Sequence, residues 1–250
     1  MEVARLAQGC GPGMPAGTNT IFFIEHKLKP KHKKATYLRI VTSETPHKEE
    51  MKRVRWTVGG DRIQYDGDLA TPTANLTTVK CHINSVISTP GAQYGTIDIK
   101  NFYLGTPMQV YEYMRVPLSV IPQAIIDHYN LEAIAQDGQV MVEIQRGMYG
   151  LPQSGILANT QLQQHLSKSG YTQVKHTHGL FRHKTRNISF TLVVDDFGVK
   201  YSNRADLDHL NQALQTKYTT TSDFTGTLYC GLTLKWNYQL RYVDFHARIY

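Results

Sequence analysis

Three carboxylates carry the chemistry this sequence could perform. Asp195 and Asp196 are adjacent, and two like charges side by side repel unless something positive sits between or beside them, a role a divalent cation fills. Asp98 ends a second strand-like pattern, Tyr94-Gly95-Thr96-Ile97-Asp98-Ile99. Three acids at the ends of neighbouring strands can hold two Mg²⁺ ions, with Mn²⁺ as the alternative, because these cations take hard oxygen ligands. An isolated Asp-Asp pair is as readily a solvated acidic turn. The third acid in a matching context favours the metal reading, which requires Asp98, Asp195 and Asp196 to converge.

The elements that must position these acids come next. Ser189-Phe190-Thr191-Leu192-Val193-Val194 is apolar and β-branched, and Phe197-Gly198-Val199-Lys200-Tyr201 alternates. The two runs read as a β-hairpin with Asp195 and Asp196 at its tip. Asn75 is a good N-cap for a helix from Leu76 to about Ser88 with Val79, Ile83, Val86 and Ile87 as its apolar stripe. Strands are expected at Thr20 to Ile24, Tyr37 to Thr42, Arg53 to Val58 and Val140 to Ile144, and a short extended piece at Tyr111 to Pro117. Helices are expected near Pro122 to Tyr129, from about Gln153 to Ser167, and over Arg204 to Lys217, where Leu207, Leu210 and Leu214 keep helical spacing. Thr227 to Trp236 and Gln239 to Asp244 read as a terminal hairpin turning at Asn237-Tyr238. Ala7 to Asn19 is a Gly- and Pro-rich lead-in loop, and it lacks the Gly-Lys-Ser/Thr ending of a phosphate-binding P-loop. The sum is an α+β chain.

Composition bounds the setting. With 250 residues, 41% of them hydrophobic, the chain can bury the core of one large domain or two small ones. No apolar run approaches the roughly 18 residues of a membrane span, and the start lacks the apolar core of a signal peptide, so a soluble intracellular protein is expected, with no membrane partner. Three distant cysteines, Cys10, Cys81 and Cys230, argue against a disulfide framework and for buried or inert thiols. None of the 11 histidines forms a His-Glu-x-x-His pattern, and His176-Thr177-His178 reads as a surface turn.

The net charge of +7 is concentrated. Lys27 to Arg55 holds ten Lys or Arg against three acids (Glu44, Glu49, Glu50), an excess equal to that of the whole chain. Such a patch is the electrostatic footprint of a polyanion binder, with Lys31, Lys33 and Lys34 as candidates for a nucleic-acid backbone. Alternation puts Arg53 and Arg55 on one strand face and Val54 and Trp56 on the other, and two guanidinium groups on one face suit a triphosphate. Arg146-Gly147-Met148-Tyr149-Gly150-Leu151-Pro152-Gln153 forces a tight turn before a helix, a plausible nucleotide-facing corner.

Taken in order, Thr77-Thr78-Val79, Asp98-Ile99-Lys100-Asn101, Tyr113-Met114, Met148-Tyr149-Gly150-Leu151, Gln153 and Val194-Asp195-Asp196 resemble the blocks of the reverse transcriptase domain of LTR retrotransposons, closest to the copia type. Each block alone is weak, and the ordered set covers most of the chain from about residue 20. The resemblance implies a right-hand polymerase with an antiparallel palm sheet packed on helices and the thumb absent or truncated. Its segments would be a lead-in (1–19), fingers (20–92 and 119–150), palm (93–118 and 151–226) and a primer-grip-like hairpin at the start of a thumb (227–250).

The same resemblance implies RNA-directed DNA polymerase activity. Asp98, Asp195 and Asp196 match the catalytic acids, which with the Ile99 carbonyl would be the metal ligands. Tyr103 matches the residue that screens the sugar 2′ position, Gln153 one lining the incoming nucleotide, and Arg55, with Arg53 beside it, the fingers arginine on the triphosphate. Tyr229-Cys230-Gly231-Leu232 matches the primer grip, and Lys217 is the candidate general acid on the nucleotide. Phe102 stands where the family has a small residue, and Val193 departs from its usual aromatic. Implied partners are an RNA or DNA template with primer and dNTP, with RNase H and integrase elsewhere in a parent polyprotein, in the cytoplasm within a virus-like particle or in the nucleus. Two alternatives stay open: a remnant of this fold that only binds nucleic acid, and a metal-dependent nuclease.

Overall fold

The computed structural model describes residues 2–44 and 52–247, which divide into two compact units, each discontinuous in sequence. In chain order the elements are α1 (Glu2–Leu6), β1 (Ile21–Ile24), β2 (Ala35–Glu44), β3 (Lys52–Val58), α2 (Leu76–Ser88), β4 (Gln93–Ile99), β5 (Pro107–Pro117), α3 (Gln123–His128), β6 (Gln139–Arg146), α4 (Ser154–Lys168), β7 (Tyr171–Gln173), β8 (Leu180–His183), β9 (Ile188–Val193), β10 (Asp196–Tyr201), α5 (Arg204–Gln215), β11 (Thr220–Asp223), β12 (Leu228–Tyr229), β13 (Leu232–Asn237) and β14 (Tyr242–Ala247). This is a mixed α+β chain, and no helix among the described residues is long and apolar enough to cross a membrane.

The first unit comprises residues 1–69 and 103–158. Its sheet runs β1-β6-β5-β2-β3, with a register shift in β5 between Pro107 and Glu112. Its core gathers Leu6, Ile21, Trp56, Val58, Met114, Val142, Ile144 and Met148. The segment from 107 is one strand of 11 residues rather than the short extended piece expected from Tyr111. The lead-in begins as a helix, α1, whose Val3, Ala4 and Leu6 are buried, a contribution that the following glycines and prolines masked in the sequence.

The second unit comprises residues 70–102 and 159–250. Its sheet runs β11-β4-β10-β9-β8-β7, and a separate three-stranded sheet runs β12-β13-β14. The Asn75 side chain accepts from the Thr78 backbone N–H at 2.8 Å, capping α2 as its sequence suggests. Strands β7 and β8 were not foreseen; three and four residues are too short for periodicity to register. The segment boundaries also move. Helix α2 belongs with the sheet of β4, β9 and β10 because its buried Val79, Ile83 and Val86 pack there, while 103–118 belongs with the first unit because β5 pairs with β2 and β6.

Candidate functional site

The sequence-predicted residues fall on both units. In the second unit, β4 and β10 pair antiparallel with Asp98 directly opposite Asp196. Cross-strand partners point to the same face with Cβ atoms about 4.5–5.5 Å apart, so these two carboxylates leave the sheet side by side. The Asp195 carbonyl accepts from the Ile99 N–H at 3.2 Å, which ties the hairpin tip to the end of β4. All three acids are half-buried.

The tip itself differs from the expectation. Asp196 is the first residue of β10, paired with Val193, so the two-residue turn is Val194-Asp195. Val194 has φ 60° and Asp195 a negative φ, the pattern of a II′ turn, whose first central position suits glycine. A β-branched residue there is strained by about 1–3 kcal/mol, and strain of this kind persists where surrounding structure over-determines it.

Period-two alternation puts Tyr94 and Thr96 on the Asp98 face of β4, and Gly198 and Lys200 on the Asp196 face of β10. The covering layer on this face is α2 and β12-β13. Lys200 Nζ donates to the Ser85 carbonyl at 2.9 Å and to Thr89 Oγ1 at 2.8 Å, and His82 Nε2 bonds Ser189 Oγ at 3.0 Å. Burial, then the positive charge of Lys200, pushes His82 down to about 4, against a hydrogen bond to the Ser189 backbone that raises it. Tyr229 packs edge-on against Tyr94, centroids 6.1 Å apart, and its hydroxyl lies 3.0 Å from Thr191 Oγ1. A Cβ on Gly198 would fall 1.9 Å from the Tyr94 hydroxyl and 2.8 Å from the Tyr229 ring, so this strand position admits only glycine.

Tyr229 and Leu232 close a two-residue turn, Cys230-Gly231, with φ 48° and 79°, a type I′ geometry. It brings the Cys230 thiol beside Asp196. Crowding by protein atoms, then the negative charge of Asp196 and of Asp195, pushes the thiol up to about 12. The residue as a whole is exposed, as is Cys81, with Cys10 half-buried, so of the two readings for the thiols, buried or inert, burial does not hold. The hairpin foreseen as a primer grip thus stands beside the acidic pair. Lys217 lies two residues beyond the end of α5 rather than within it, contacts Gln161 at 3.5 Å, and is held below the usual lysine range by burial and by Lys168.

In the first unit a second group assembles around a residue that the sequence reading did not single out. The Arg55 guanidinium sits 4.8 Å above the Tyr149 ring, and Tyr103 meets that ring edge-on, centroids 5.4 Å apart. The 147–154 corner is clamped in place: Val58 N–H donates to the Tyr149 carbonyl at 2.8 Å and Gly147 N–H to the Thr106 carbonyl at 2.8 Å. Gly150, at φ 92°, could carry no Cβ, which would lie 2.1 Å from the Val58 carbonyl oxygen. Ser154 Oγ accepts from the Met148 N–H and donates to the Met148 carbonyl, both at 2.9 Å. Gln153, just ahead of α4, is buried, and its Oε1 has no hydrogen-bond partner. A buried acceptor left unmade costs about 1–3 kcal/mol, a cost that a bound ligand or an ordered water would remove. Tyr103 is half-buried while its neighbours Phe102 and Leu104 take the buried positions, so it is not a core aromatic. Arg53 is also half-buried.

Of the basic segment, Lys48, Glu49 and Glu50 lie outside the described residues. Lys33 is bound to the buried Glu112 carboxylate at 2.9 Å, whereas Lys31 and Lys34 are exposed. Lys33 is therefore a structural cation and not a phosphate contact of the kind expected.

The acids and the Ile99 carbonyl offer hard oxygen donors, whose chemistry fits Mg²⁺. Among the described residues no three His, Cys, Asp or Glu side chains are gathered into a metal-ligating group; what Asp98 and Asp196 share is a strand register. No family model matches the chain.

Proposed function

We propose that this chain is a template-directed nucleotidyl transferase, an RNA-directed DNA polymerase of the retrotransposon reverse transcriptase type. The observation that carries the reading is the register of Asp98 opposite Asp196, with Asp195 tied through its carbonyl to Ile99. It puts the acids that the sequence alone singles out at one end of one sheet. Asp98, Asp195, Asp196 and the Ile99 carbonyl are the groups that would hold Mg²⁺ or Mn²⁺, which when bound supplies Lewis-acid activation of a primer 3′-OH and neutralises charge on the leaving pyrophosphate.

The chain's own residues supply the rest. Arg55, held flat on Tyr149, and Arg53 bind triphosphate oxygens as fixed donors. Gln153 Oε1 accepts from the nucleotide, and Tyr103 excludes a sugar bearing a 2′-OH. The Cys230-Gly231 turn, positioned by Tyr229, lays the primer end beside Asp196, and the Cys230 S–H orients that carboxylate. Lys217, with its proton held less tightly than an ordinary lysine, is the proton donor to pyrophosphate. A primer-extension assay on an RNA template tests the reading: Mg²⁺- or Mn²⁺-dependent extension with dNTP is expected, and binding without extension would leave the nucleic-acid-binding remnant instead.

A further inference from the structure

Away from these groups, the first unit has a concave depression of about 530 Å³ whose lining side chains are nearly all cationic: Lys29, Lys33, Lys34, Arg62 and Arg115, together with Ala35. They come from separate stretches of chain that the sheet brings together. Tyr37 in β2 stands opposite Arg115 in β5 in the parallel pairing, and Arg62 ends a short 3₁₀ turn at Gly60–Arg62.

The cup is also preorganised. The Arg62 guanidinium lies 4.8 Å above the Tyr37 ring, and the Tyr37 hydroxyl is anchored on Asp61 Oδ1 at 2.8 Å. Lys29 Nζ folds back onto the Pro30 and Lys33 carbonyls, fixing the loop that carries Lys33 and Lys34. Two acids stand close: Glu112, consumed by Lys33, and Asp61, occupied by Tyr37. Holding like charges together costs electrostatic energy that an anion would recover, and rigid donors lose little entropy on binding one.

We propose that this cup binds a compact polyphosphate, the di- or triphosphate tail of a nucleotide or the free inorganic polyphosphate, separately from the triphosphate assigned to Arg53 and Arg55. The convergence of these cations from separate segments on one depression suits a compact polyanion better than an extended nucleic-acid strand. A depression of this volume is roughly 10 Å across, within the ordinary range of ligand pockets. A strand carrying one charge per ~3.4 Å brings only two or three phosphates into that span. A triphosphate packs roughly four charges into it, where five cations line the depression and Glu112 and Asp61 are the acids beside them.

The test is calorimetric titration of the full chain without divalent metal, so that it stands whether or not the protein polymerises DNA. The probes are inorganic tripolyphosphate, ATP and a short single-stranded oligonucleotide. Saturable tripolyphosphate binding is expected, weakened at least about tenfold by Lys34→Ala with Arg115→Gln and unchanged by Lys31→Ala, on the same loop but outside the depression. Circular dichroism confirms that the variants fold, and Arg62→Lys, which keeps the charge but loses the planar stack, should weaken binding less. If ATP binds tighter than tripolyphosphate, the occupant is a nucleotide; if equally, free polyphosphate. Absence of saturable binding, an equal effect of Lys31→Ala, or an oligonucleotide that binds tighter and displaces tripolyphosphate would each overturn the proposal.

Discussion

Replacing Gly198 with alanine tests the packing that holds the acids in place. The new Cβ would meet the Tyr94 hydroxyl at 1.9 Å and Tyr229 ring atoms at 2.8 and 2.9 Å, all on fully buried side chains. Neither ring is the free end of a flexible chain, so the strand must shift, and overpacking of this kind costs about 1–3 kcal/mol. The Tyr94 hydroxyl is buried without a hydrogen-bond partner, so Tyr94→Phe should be neutral or stabilise by up to about 1–2 kcal/mol. Combining the two removes the closest clash but not the Tyr229 contact. The double variant should therefore recover about 1 kcal/mol of the Gly198→Ala loss beyond additivity. Urea unfolding in a Trp56→Phe background isolates the second unit, because the remaining Trp236 packs tilted against Tyr94 with centroids 5.0 Å apart. A Gly198→Ala variant within about 0.5 kcal/mol of its parent, the range of a harmless surface change, would refute the packing, as would strictly additive effects.

Three further outcomes follow from other groups. Tyr103→Ala should admit ribonucleotides, a clash of about 2–4 kcal/mol corresponding to roughly 30- to 1000-fold discrimination; equal losses for dNTP and rNTP in single-nucleotide incorporation would sink the sugar-gate role. His82 is held near 4 in the fold against 6.5 for an ordinary histidine, so the unfolded chain takes up its proton first. The neutral form's stabilisation is complete above about pH 6.5 and is lost as pH falls toward 4, by about 3 kcal/mol in all, and a His82→Gln variant unfolded by urea at a series of pH values should show that slope removed. For template–primer binding, Lys31→Ala should flatten the slope of log K against log salt by roughly 0.7–0.9, whereas Lys33→Ala should cost stability because it strands the buried Glu112; an unchanged slope would put the strand elsewhere.

Much of the scaffold could be read from the chain because local rules and global fold agree. The Asn75 cap, the α2 stripe and the alternation of β9 and β10 each follow from neighbours in sequence. What escaped was set by non-local contact. The hairpin tip moved by one residue because β4 pairs through Asp98 with Asp196, drawing that acid into the strand and leaving Val194 to take positive φ. Tyr149 could not be recognised as the platform under Arg55, since its place depends on the Val58 clamp, and no periodicity links residues 55, 103 and 149. Lys33 looked like its neighbours Lys31 and Lys34 until Glu112, 79 residues away, claimed it.

The central claim rests on the three acids, and single-turnover primer extension on an RNA template with Mg²⁺ measures it most directly. Asp98→Asn, Asp195→Asn and Asp196→Asn keep side-chain size and remove one charge each. The account predicts that Asp98→Asn and Asp196→Asn each lower the extension rate by at least about 1000-fold, roughly 4 kcal/mol of barrier, while template–primer affinity stays within a few fold. Extension that persists in either variant, or its absence in the unaltered chain with both Mg²⁺ and Mn²⁺, would contradict it.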